Sequence, residues 1–315
     1  VPSMRLFFLV NTSASSVTAR ARVVIQKALS ADHEVNLKET NRRGHAARLA
    51  QGAAADGAEV VVVLGGDGTL NEAANGLVGS GTALAVLPGG STNVFARTIG
   101  VSNDPAEATS QLLSSLAAGS VERVGLGQAN GRYFLFHAGI GFDADVVARV
   151  EALAPLKRWT GPALFVAVSL VTWGRTWAGR DGRPARFSVN GGEFSTSGAS
   201  FAVCLNTDPY SFLGARPLNV ATGTSLATPL SLVTFDSLGL ATMLPLLAAA
   251  LRGGPKNDRT AHVVVTRDVR AATITGARPV PYQLDGDYVG EAERIELRWG
   301  EAVLSLVKPL DARWD

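Results

Sequence analysis

Cysteine, histidine and charged residues are all scarce in this chain. Its 315 residues include one cysteine, Cys204, so an internal disulfide is excluded. The four histidines are far apart, and none has a second histidine or a cysteine at metal-ligand spacing, which argues against a structural zinc site. The net charge of +2 is too small to indicate a nucleic-acid-binding protein.

Long hydrophobic runs are also missing. The two longest, residues 161–173 and 238–251, are shorter than the roughly 18–20 residues that a spanning helix needs, and the second contains Pro245. The apolar run near the N-terminus is too short for a secretory signal. We therefore expect a soluble cytoplasmic protein. Hydrophobic residues make up 46% of the chain, which predicts a sizeable core.

The first third of the chain alternates apolar strands with helical segments. Strands are predicted at "MRLFFLVN", "EVNLKET", "EVVVVLGG" and "ALAVLPGG", with helices between them and after the last. The third strand is continuously apolar, as expected when both faces of a parallel sheet are covered. A final helix is predicted to begin at Asp104 as N-cap. This pattern predicts a doubly wound α/β domain over residues 1–125.

Beyond residue 125 the pattern changes to short strands joined by turns. Asn130-Gly131, between two strand-like runs, is a strong hairpin signal. Similar runs recur to the end of the chain, with helices predicted at residues 143–152, 161–178 and 237–252. We predict a second, mostly antiparallel β domain.

Two glycine-rich turns follow apolar strands of the first domain, "GGDGT" at residues 65–69 and "PGGSTN" at residues 88–93. Glycines between a strand and a helix let backbone N–H groups converge on an anion, which the helix N-terminus also attracts. The first turn is not a Walker A loop, because no lysine follows at the required spacing. A phosphate-lined cleft is one interpretation. Ordinary turns, with Ser91, Thr92 and Asn93 capping the next helix, are the alternative.

Three of the aspartates that lie beside glycines are candidates for chemistry. Asp67 can orient a metal ion or hold its loop by local hydrogen bonds. Asp285 and Asp287 flank Gly286, and such a D-G-D sequence is by default a hairpin corner. In a strand, however, the two carboxylates would point to the same side. If they faced a phosphate cleft, one could accept a hydroxyl proton while the other served a metal ion.

Together, "GGDGTLNEAANGL", "LPGGSTNVFARTIG" and "QLDGD" resemble the diacylglycerol kinase catalytic-domain family, which includes soluble bacterial lipid kinases and sphingosine and ceramide kinases. The resemblance implies an N-terminal nucleotide-binding α/β domain, to which residues 301–315 return, and a C-terminal β-sandwich for the lipid over residues 126–300. It also implies that ATP and Mg²⁺ phosphorylate a lipid hydroxyl, with diacylglycerol giving phosphatidic acid as the first expectation.

The resemblance also implies roles for individual residues. Asp287 is expected to be the catalytic base, and Asp285 to orient Mg²⁺ or the loop. Mg²⁺ is expected near Asp67 or Asp285, and which acid binds it stays open. The nucleotide is expected to contact Asn11, Thr40, Gly65, Gly66, Asp67, Gly68, Thr69, Leu70, Asn71 and Ser91.

The chain departs from the family pattern in three blocks. "NTSASS" stands in place of N-P-x-S-G, and Asp287 stands where a glutamate is common. "TSLATPL" has Ala227 and Thr228 where many bacterial members have the acids of a structural Mg²⁺ site, so we predict that this site is absent. Alternatives therefore stay open: a kinase of a sphingoid base, ceramide or NAD, or a catalytically impaired lipid- or nucleotide-binding module.

The sequence says less about partners other than the substrates, such as a membrane surface or a second copy of the chain. Apolar helices near basic and tryptophan residues fit peripheral docking on anionic lipid, and core helices with solvated ends are the alternative. A homodimer also stays open. The residues behind the docking hypothesis are Lys157, Arg158, Trp159, Trp173, Arg175, Trp177, Arg180 and Arg183.

Overall fold

The computed structural model describes residues 3–152, 171, 186–312 and 314. The chain divides into two compact units. Unit 1 comprises Val1–Leu126 and Glu301–Asp315, and unit 2 comprises Gly127–Gly300. The helix predicted at 161–178, with its basic and tryptophan residues, lies outside the described residues. No described helix combines the length and the apolar character needed to cross a membrane.

Unit 1 is built around a parallel sheet, as predicted. Its strands lie in the order β2-β1-β3-β4, all parallel. The end of β16 (Asp287–Val307) returns to the free side of β4, where Ser305 pairs with Ala83 in a parallel register. The elements before this return are β1 (Arg5–Asn11), α1 (Ala19–Leu29), β2 (Glu34–Thr40), α2 (His45–Ala55), β3 (Val60–Gly65), α3 (Asp67–Leu77), β4 (Ala83–Pro88), α4 (Val94–Thr98), α5 (Pro105–Ala117) and the first part of β5 (Val121–Ala129).

Burial in unit 1 follows the apolar pattern of the sequence. Every residue of β3 and β4 is buried, because helices cover both faces of the sheet. The predicted start of α5 is confirmed: the Asp104 carboxylate accepts hydrogen bonds from the N–H groups of Ala106 and Glu107, both at 2.9 Å. One boundary differs. Helix α3 begins at Asp67 and not at Leu70, so most of the predicted glycine turn is the first turn of a helix.

Unit 2 is antiparallel, also as predicted. Its main sheet has the order β14-β13-β10-β7-β15-β16, and β8 pairs with β15 and β9. Cys204 lies on β10 and is fully buried in the core. The elements are β6 (Arg132–Phe134), β7 (His137–Gly141), α6 (Phe142–Ala152), β8 (Phe187–Asn190), β9 (Ser195–Ala199), β10 (Phe201–Leu205), β11 (Ser211–Leu213), β12 (Arg216–Leu218), β13 (Leu230–Phe235), α7 (Leu240–Ala250), β14 (Val263–Val269), β15 (Ala271–Leu284) and β16.

The hairpin predicted at Asn130-Gly131 is confirmed. Strand β5 pairs with β6 up to Ala129 and Arg132, and the two residues between them form the turn. Their φ angles are 46° and 87°. A two-residue turn of this kind needs left-handed backbone at both positions, which asparagine and glycine tolerate best.

Candidate functional site

The residues predicted to bind nucleotide in unit 1 gather at one edge of the parallel sheet. Asn11 ends β1 and is the register partner of Thr40, which ends β2. Gly65 ends β3 and is the register partner of Pro88, which ends β4. Ligands of doubly wound sheets bind beyond the carboxyl ends of the strands, which is this edge.

The two glycine turns at this edge pack directly against each other. The Gly89 N–H donates to the Gly65 carbonyl at 2.9 Å. A Cβ on Gly89 would lie 2.8 Å from the Gly65 nitrogen, and one on Gly90 would lie 2.9 Å from the Gly66 Cα. None of these four glycines has a positive φ. Glycine is therefore required here by the close approach of two backbones and not by a left-handed conformation.

Asp67 joins the two turns through its side chain. Its two carboxylate oxygens accept hydrogen bonds of 3.0 Å from the N–H groups of Val94 and Phe95, the first amides of α4. Burial raises the pKa of the Asp67 carboxyl, and the two backbone hydrogen bonds oppose that shift. The predicted hold on the loop therefore extends beyond local hydrogen bonds, because the Val94 and Phe95 partners are 27 and 28 residues away.

The cap of α4 also differs from the expectation for Ser91, Thr92 and Asn93. Asn93 occupies the N-cap position, yet its side chain makes no capping bond. Instead it folds back onto Gly90, accepting from the N–H at 2.8 Å and donating to the carbonyl at 2.9 Å. The side chain that caps α4 is Asp67, the first residue of α3. The Asn93 side chain instead stabilises the second glycine turn.

The "NTSASS" segment lies against both turns. The Asn11 side-chain amide donates to the Thr69 hydroxyl at 2.8 Å, and its oxygen accepts from the Ser13 N–H at 3.0 Å. The Ser16 hydroxyl donates to the Gly90 carbonyl at 3.0 Å. Although this segment departs from the family pattern, it packs as part of the same edge. Ser91 is exposed in the second turn.

Three residues of α3 have roles that the sequence did not predict. Leu70 and Asn71 are each only 1% exposed, so both residues belong to the core of unit 1. The Glu72 carboxylate accepts hydrogen bonds from the N–H groups of Gly44 at 2.7 Å and Ala46 at 3.1 Å, and so caps α2. No local sequence pattern could reveal that partnership.

In unit 2, Asp285 and Asp287 lie at a hairpin corner. Strand β15 ends at Leu284, β16 begins at Asp287, and Asp285 and Gly286 form the turn with φ of 50° and 81°. Asp285 is therefore not in a strand, and the alternation of side chains along a strand does not apply. The expectation that both carboxylates point to one side assumed a strand and is wrong for that reason. The default interpretation of D-G-D as a corner is confirmed.

The two aspartates have different surroundings. Asp285 is buried, and its carboxylate accepts hydrogen bonds from the N–H groups of Leu135 at 2.6 Å, Phe136 at 2.9 Å and His137 at 3.1 Å. The Asp287 side chain is 26% exposed and lies 3.5 Å from the Arg132 guanidinium. Asp285 therefore anchors the turn, while Asp287 is the carboxylate that a substrate can reach.

Behind this corner is a buried polar cluster that sequence reasoning missed. The Asp143 carboxylate accepts hydrogen bonds of 2.6 Å from the Tyr210 hydroxyl and from the Gln283 side-chain amide. Burial lowers the pKa of His137 to about 4, and Asp143 opposes that shift. Burial, and then Asp143, raise the pKa of Tyr210 well above its ordinary value. The members come from distant parts of the chain, so no spacing signal exists.

The described residues offer no ready-made metal site, since they contain no cluster of three or more His, Cys, Asp or Glu side chains that could hold an ion. Asp67 and Asp285, the two candidates for Mg²⁺, both direct their carboxylates at backbone amides. In "TSLATPL", Ser225 and Thr228 bond to each other and close a turn. These residues do not fit a prearranged Mg²⁺ site, and we assign no ligand to the ion.

The similarity to known proteins is strongest in unit 1. Residues 5–129 match the family model of the diacylglycerol kinase catalytic domain. Residues 5–129 are therefore similar to the catalytic domain of this family, and longer stretches of the chain are similar to proteins named diacylglycerol kinase and lipid kinase. This similarity supports an ATP-dependent kinase that acts on a hydroxyl group of a lipid.

Individual members of the diacylglycerol kinase family extend the similarity along the chain. The chain is 28% identical over 276 residues to the diacylglycerol kinase of Bacillus subtilis, which covers 85% of this chain and 84% of that one. It is 35% identical over 186 residues to the "Probable lipid kinase YegS-like" of Pseudomonas aeruginosa, a match that covers 58% of this chain and 57% of the relative. The crystal structure of a diacylglycerol kinase from Bacillus anthracis shares the fold, with a TM-score of 0.73 and 17% identity over 98% of each chain.

Proposed function

We propose that this protein transfers the γ-phosphate of ATP to the hydroxyl of diacylglycerol, giving phosphatidic acid and ADP. The observation that carries the proposal is the pair of glycine turns packed together at the carboxyl edge of the unit 1 sheet. The acceptor is inferred from the Bacillus subtilis relative, whose name specifies diacylglycerol and which aligns with 85% of the chain. The name of the Pseudomonas relative specifies a lipid kinase without an acceptor.

The role of unit 1 in this proposal is to bind the phosphates of ATP. The helix dipole favours negative charge at the start of α3, where the Thr69 and Leu70 N–H groups already donate to the Gly66 carbonyl and the N–H groups before them point toward the N-terminus. Gly66, Gly68 and Gly90 are only partly buried, so phosphate oxygens can approach the backbone of both turns. Asp67 fixes the two turns to each other, so the amides are held in place before the nucleotide arrives.

The role of unit 2 is to supply the base. We propose that the Asp287 carboxylate accepts the proton of the lipid hydroxyl as its oxygen attacks the γ-phosphorus, and the bond from that phosphorus to the bridging oxygen of ADP breaks. The Arg132 guanidinium lies 3.5 Å from this carboxylate and is the cation beside the proposed base. Mg²⁺ bound by the nucleotide phosphates would supply positive charge to the transferred group.

The assignment of Asp287 is tested by Asp287→Asn, which keeps the shape and removes the basic carboxylate. We expect kcat for dioleoylglycerol phosphorylation to fall at least 100-fold, consistent with the contribution of a general base, while the KM for ATP stays within about two-fold. Glu293→Gln, which neutralises an exposed acid on the same strand, is the matched control and should keep normal turnover. Full turnover in Asp287→Asn would refute the assignment.

The acceptor is tested with radiolabelled ATP and a panel of diacylglycerol, sphingosine, ceramide and NAD. Labelled phosphatidic acid, and no comparable product from the other three, is the expected result. Transfer to a different acceptor would keep the kinase and replace its substrate. ATP binding without transfer to any of them would favour the impaired binding module.

We also propose that α7 makes peripheral contact with an anionic bilayer, where diacylglycerol resides. Leu240, Leu244 and Leu247 recur on one face of this helix and are 50%, 58% and 48% exposed. No charged residue occurs within α7. Exposed cations follow it at Arg252, Lys256 and Arg259. An apolar helical face beside basic residues matches a membrane surface in both hydrophobicity and charge.

Liposome co-sedimentation tests this contact. The triple variant Leu240→Ser/Leu244→Ser/Leu247→Ser should lose at least ten-fold in affinity for phosphatidylglycerol vesicles, because three leucines no longer enter the interface. Val24→Ser, which removes an equally exposed apolar side chain from α1, is the control and should bind as the parent does. Unchanged sedimentation of the triple variant would remove α7 from the docking surface.

A further inference from the structure

The turn that carries Asp287 is held from inside unit 2 by Gln283. The oxygen of the Gln283 side chain accepts a hydrogen bond from the Gly286 N–H at 2.8 Å. The nitrogen of the same side chain donates to the Asp143 carboxylate at 2.6 Å. One fully buried side chain thus connects the corner of the β15–β16 hairpin to a carboxylate on α6.

Asp143 defines which way the Gln283 amide faces. Its carboxylate can only accept hydrogen bonds, so the Gln283 nitrogen must point toward it. The Gln283 oxygen must then point toward Gly286, whose N–H can only donate. Tyr210 completes the arrangement by donating its hydroxyl to the other Asp143 oxygen at 2.6 Å. The polarity of every bond in this chain of contacts is therefore fixed by Asp143.

This arrangement carries costs that a purely structural core would avoid. Asp143 is 5% exposed, and the His137 Nε2 lies 3.9 Å from its carboxylate, but burial disfavours the charged form of that imidazole. Gly139 must remain glycine inside β7, since a Cβ there would lie 1.8 Å from the Asp143 carboxylate and 2.5 Å from the Gln283 nitrogen. Buried carboxylates and mid-strand glycines both disfavour folding, and well-packed apolar residues would commonly be more stable.

We propose that Asp143 and Gln283 are positioning residues for the phosphoryl transfer, which hold the Asp285-Gly286 turn so that the following Asp287 carboxylate is presented to the lipid hydroxyl. The inference rests on the proposed role of Asp287 as the base. Asp285 fixes the turn from the β6–β7 side through three backbone amides, and Gln283 fixes Gly286 from the α6 side. A displacement of a reacting group by about 1 Å can cost on the order of 100-fold in rate, so such positioning affects turnover directly.

The polarity of the contacts provides a rescue experiment. In Asp143→Asn the introduced amide can no longer accept a bond from Gln283 while it accepts one from Tyr210. Gln283 keeps both of its bonds only if the Tyr210 hydroxyl turns round and accepts from the new amide; otherwise Gln283 loses its bond to position 143, or reverses its amide and faces the Gly286 N–H with a second donor. In Asp143→Asn/Gln283→Glu the introduced carboxylate accepts from both the new amide and Gly286. The double variant keeps the atom count and the charge of the pair and restores every bond.

Two measurements read out the positioning. In Asp143→Asn we expect kcat on dioleoylglycerol micelles to fall about ten- to 100-fold with the KM for ATP unchanged, and the Gly286 amide to exchange with solvent at least ten-fold faster. The double variant should recover both to within about three-fold of the parent. Ser231→Ala, which removes a buried 2.7 Å hydrogen bond to Thr224 elsewhere in unit 2, should change neither.

The outcomes separate this proposal from the one it rests on. A parent-like kcat in folded Asp143→Asn, or an equal loss in Ser231→Ala, would overturn the positioning role even if Asp287→Asn is inactive. Failure of the double variant to recover kcat after it has recovered Gly286 protection would also overturn it. Full turnover in Asp287→Asn would instead refute the base, and with it the purpose of the positioning. If the parent does not phosphorylate dioleoylglycerol, unchanged Gly286 exchange in Asp143→Asn still overturns the proposal.

Discussion

At the scale of single residues, three acids of this protein hold backbone at the candidate site or beside it. Asp67 caps α4, Glu72 caps α2 and Asp285 accepts three amides of the β6–β7 connection. Each carboxylate satisfies N–H groups that a helix start or a loop would otherwise leave unpaired. Asp287 differs because it is partly exposed and faces a cation. This difference in surroundings separates the proposed base from its neighbours in sequence.

These roles mark the limit of what the sequence alone could predict for the site. The glycines, the strand ends and the late aspartates could be selected from local pattern, because strands and turns have local signatures. The partners of Asp67 and Asp285 are 27 to 28 and 148 to 150 residues away. Such contacts depend on how strands order in a sheet, and no spacing rule encodes them. Asp143 and Gln283 could not be predicted as site residues for the same reason.

His137 gives a pH-dependence prediction at this scale. Burial lowers its pKa from 6.5 to about 4, so the unfolded state binds more protons between these values. The stabilising contribution is complete above pH 6.5 and is lost as the pH falls toward 4. The shift corresponds to about 3 kcal/mol of unfolding free energy. His137→Gln should therefore lose less free energy of unfolding than the parent when the pH falls from 6.5 to about 4. The difference, measured by urea unfolding, should be at most about 3 kcal/mol.

The control for His137 is His262→Gln. His262 is 52% exposed and pairs with Asp236 at the surface, so this variant removes an imidazole without changing the buried cluster around His137. Asp143 and Tyr210 contact His137 from α6 and from the segment before β11, and both are unchanged in either variant. Identical acid dependence in the parent and in His137→Gln would show that the imidazole is not held neutral.

At the scale of elements, helices α2 and α3 show that glycine serves opposite purposes in neighbouring helices. Gly52 is exposed inside α2, and a Cβ there would meet nothing within 4 Å. Gly76 lies inside α3, and a Cβ there would lie 2.3 Å from the Ala47 carbonyl oxygen of α2. The first glycine only lowers helix propensity, whereas the second permits the two helices to pack closely.

The same substitution should therefore change stability in opposite directions. Gly52→Ala should raise the free energy of unfolding by about 0.5–1 kcal/mol, because alanine loses less backbone entropy in a helix. Gly76→Ala should lower it by about 1–3 kcal/mol, because the added methyl forces α2 and α3 apart. Urea unfolding followed by circular dichroism measures both, and each variant controls for the other. The same sign in both would contradict the packing seen between the two helices.

Element types followed the sequence more closely than element ends. Continuous apolar runs predicted β3 and β4, and the Asn130-Gly131 turn predicted its hairpin, because these signals are local. The start of α3 was misplaced because glycine and aspartate are weak helix formers. Their helical conformation is stabilised by tertiary contacts, namely the packing of Gly66 on Gly90 and the bonds of Asp67 to α4.

At the scale of the whole molecule, unit 1 is completed by residues from the other end of the chain. Leu304 and Leu306 on the returning part of β16 are fully buried, and that strand covers the edge of β4. Lys308 pairs with Glu122 at 2.8 Å. The Trp314 indole N–H donates to the Ile99 carbonyl at 3.2 Å. A nucleotide-binding fragment cut at the first unit boundary therefore lacks part of its sheet and part of its core.

This discontinuity predicts how fragments should behave. Residues 1–126 alone should expose the β4 edge and fail to unfold cooperatively, because an unpaired apolar strand edge promotes association. The same residues joined by a flexible Gly/Ser linker to residues 301–315 should unfold cooperatively, since the strand and its buried leucines are restored. Thermal circular dichroism and size-exclusion chromatography distinguish the two.

Replacing Leu304 and Leu306 with serine in the linked fragment is the control, and it should behave as residues 1–126 do. If residues 1–126 alone are monomeric and unfold as cooperatively as the linked fragment, the returning strand contributes nothing to the stability of unit 1.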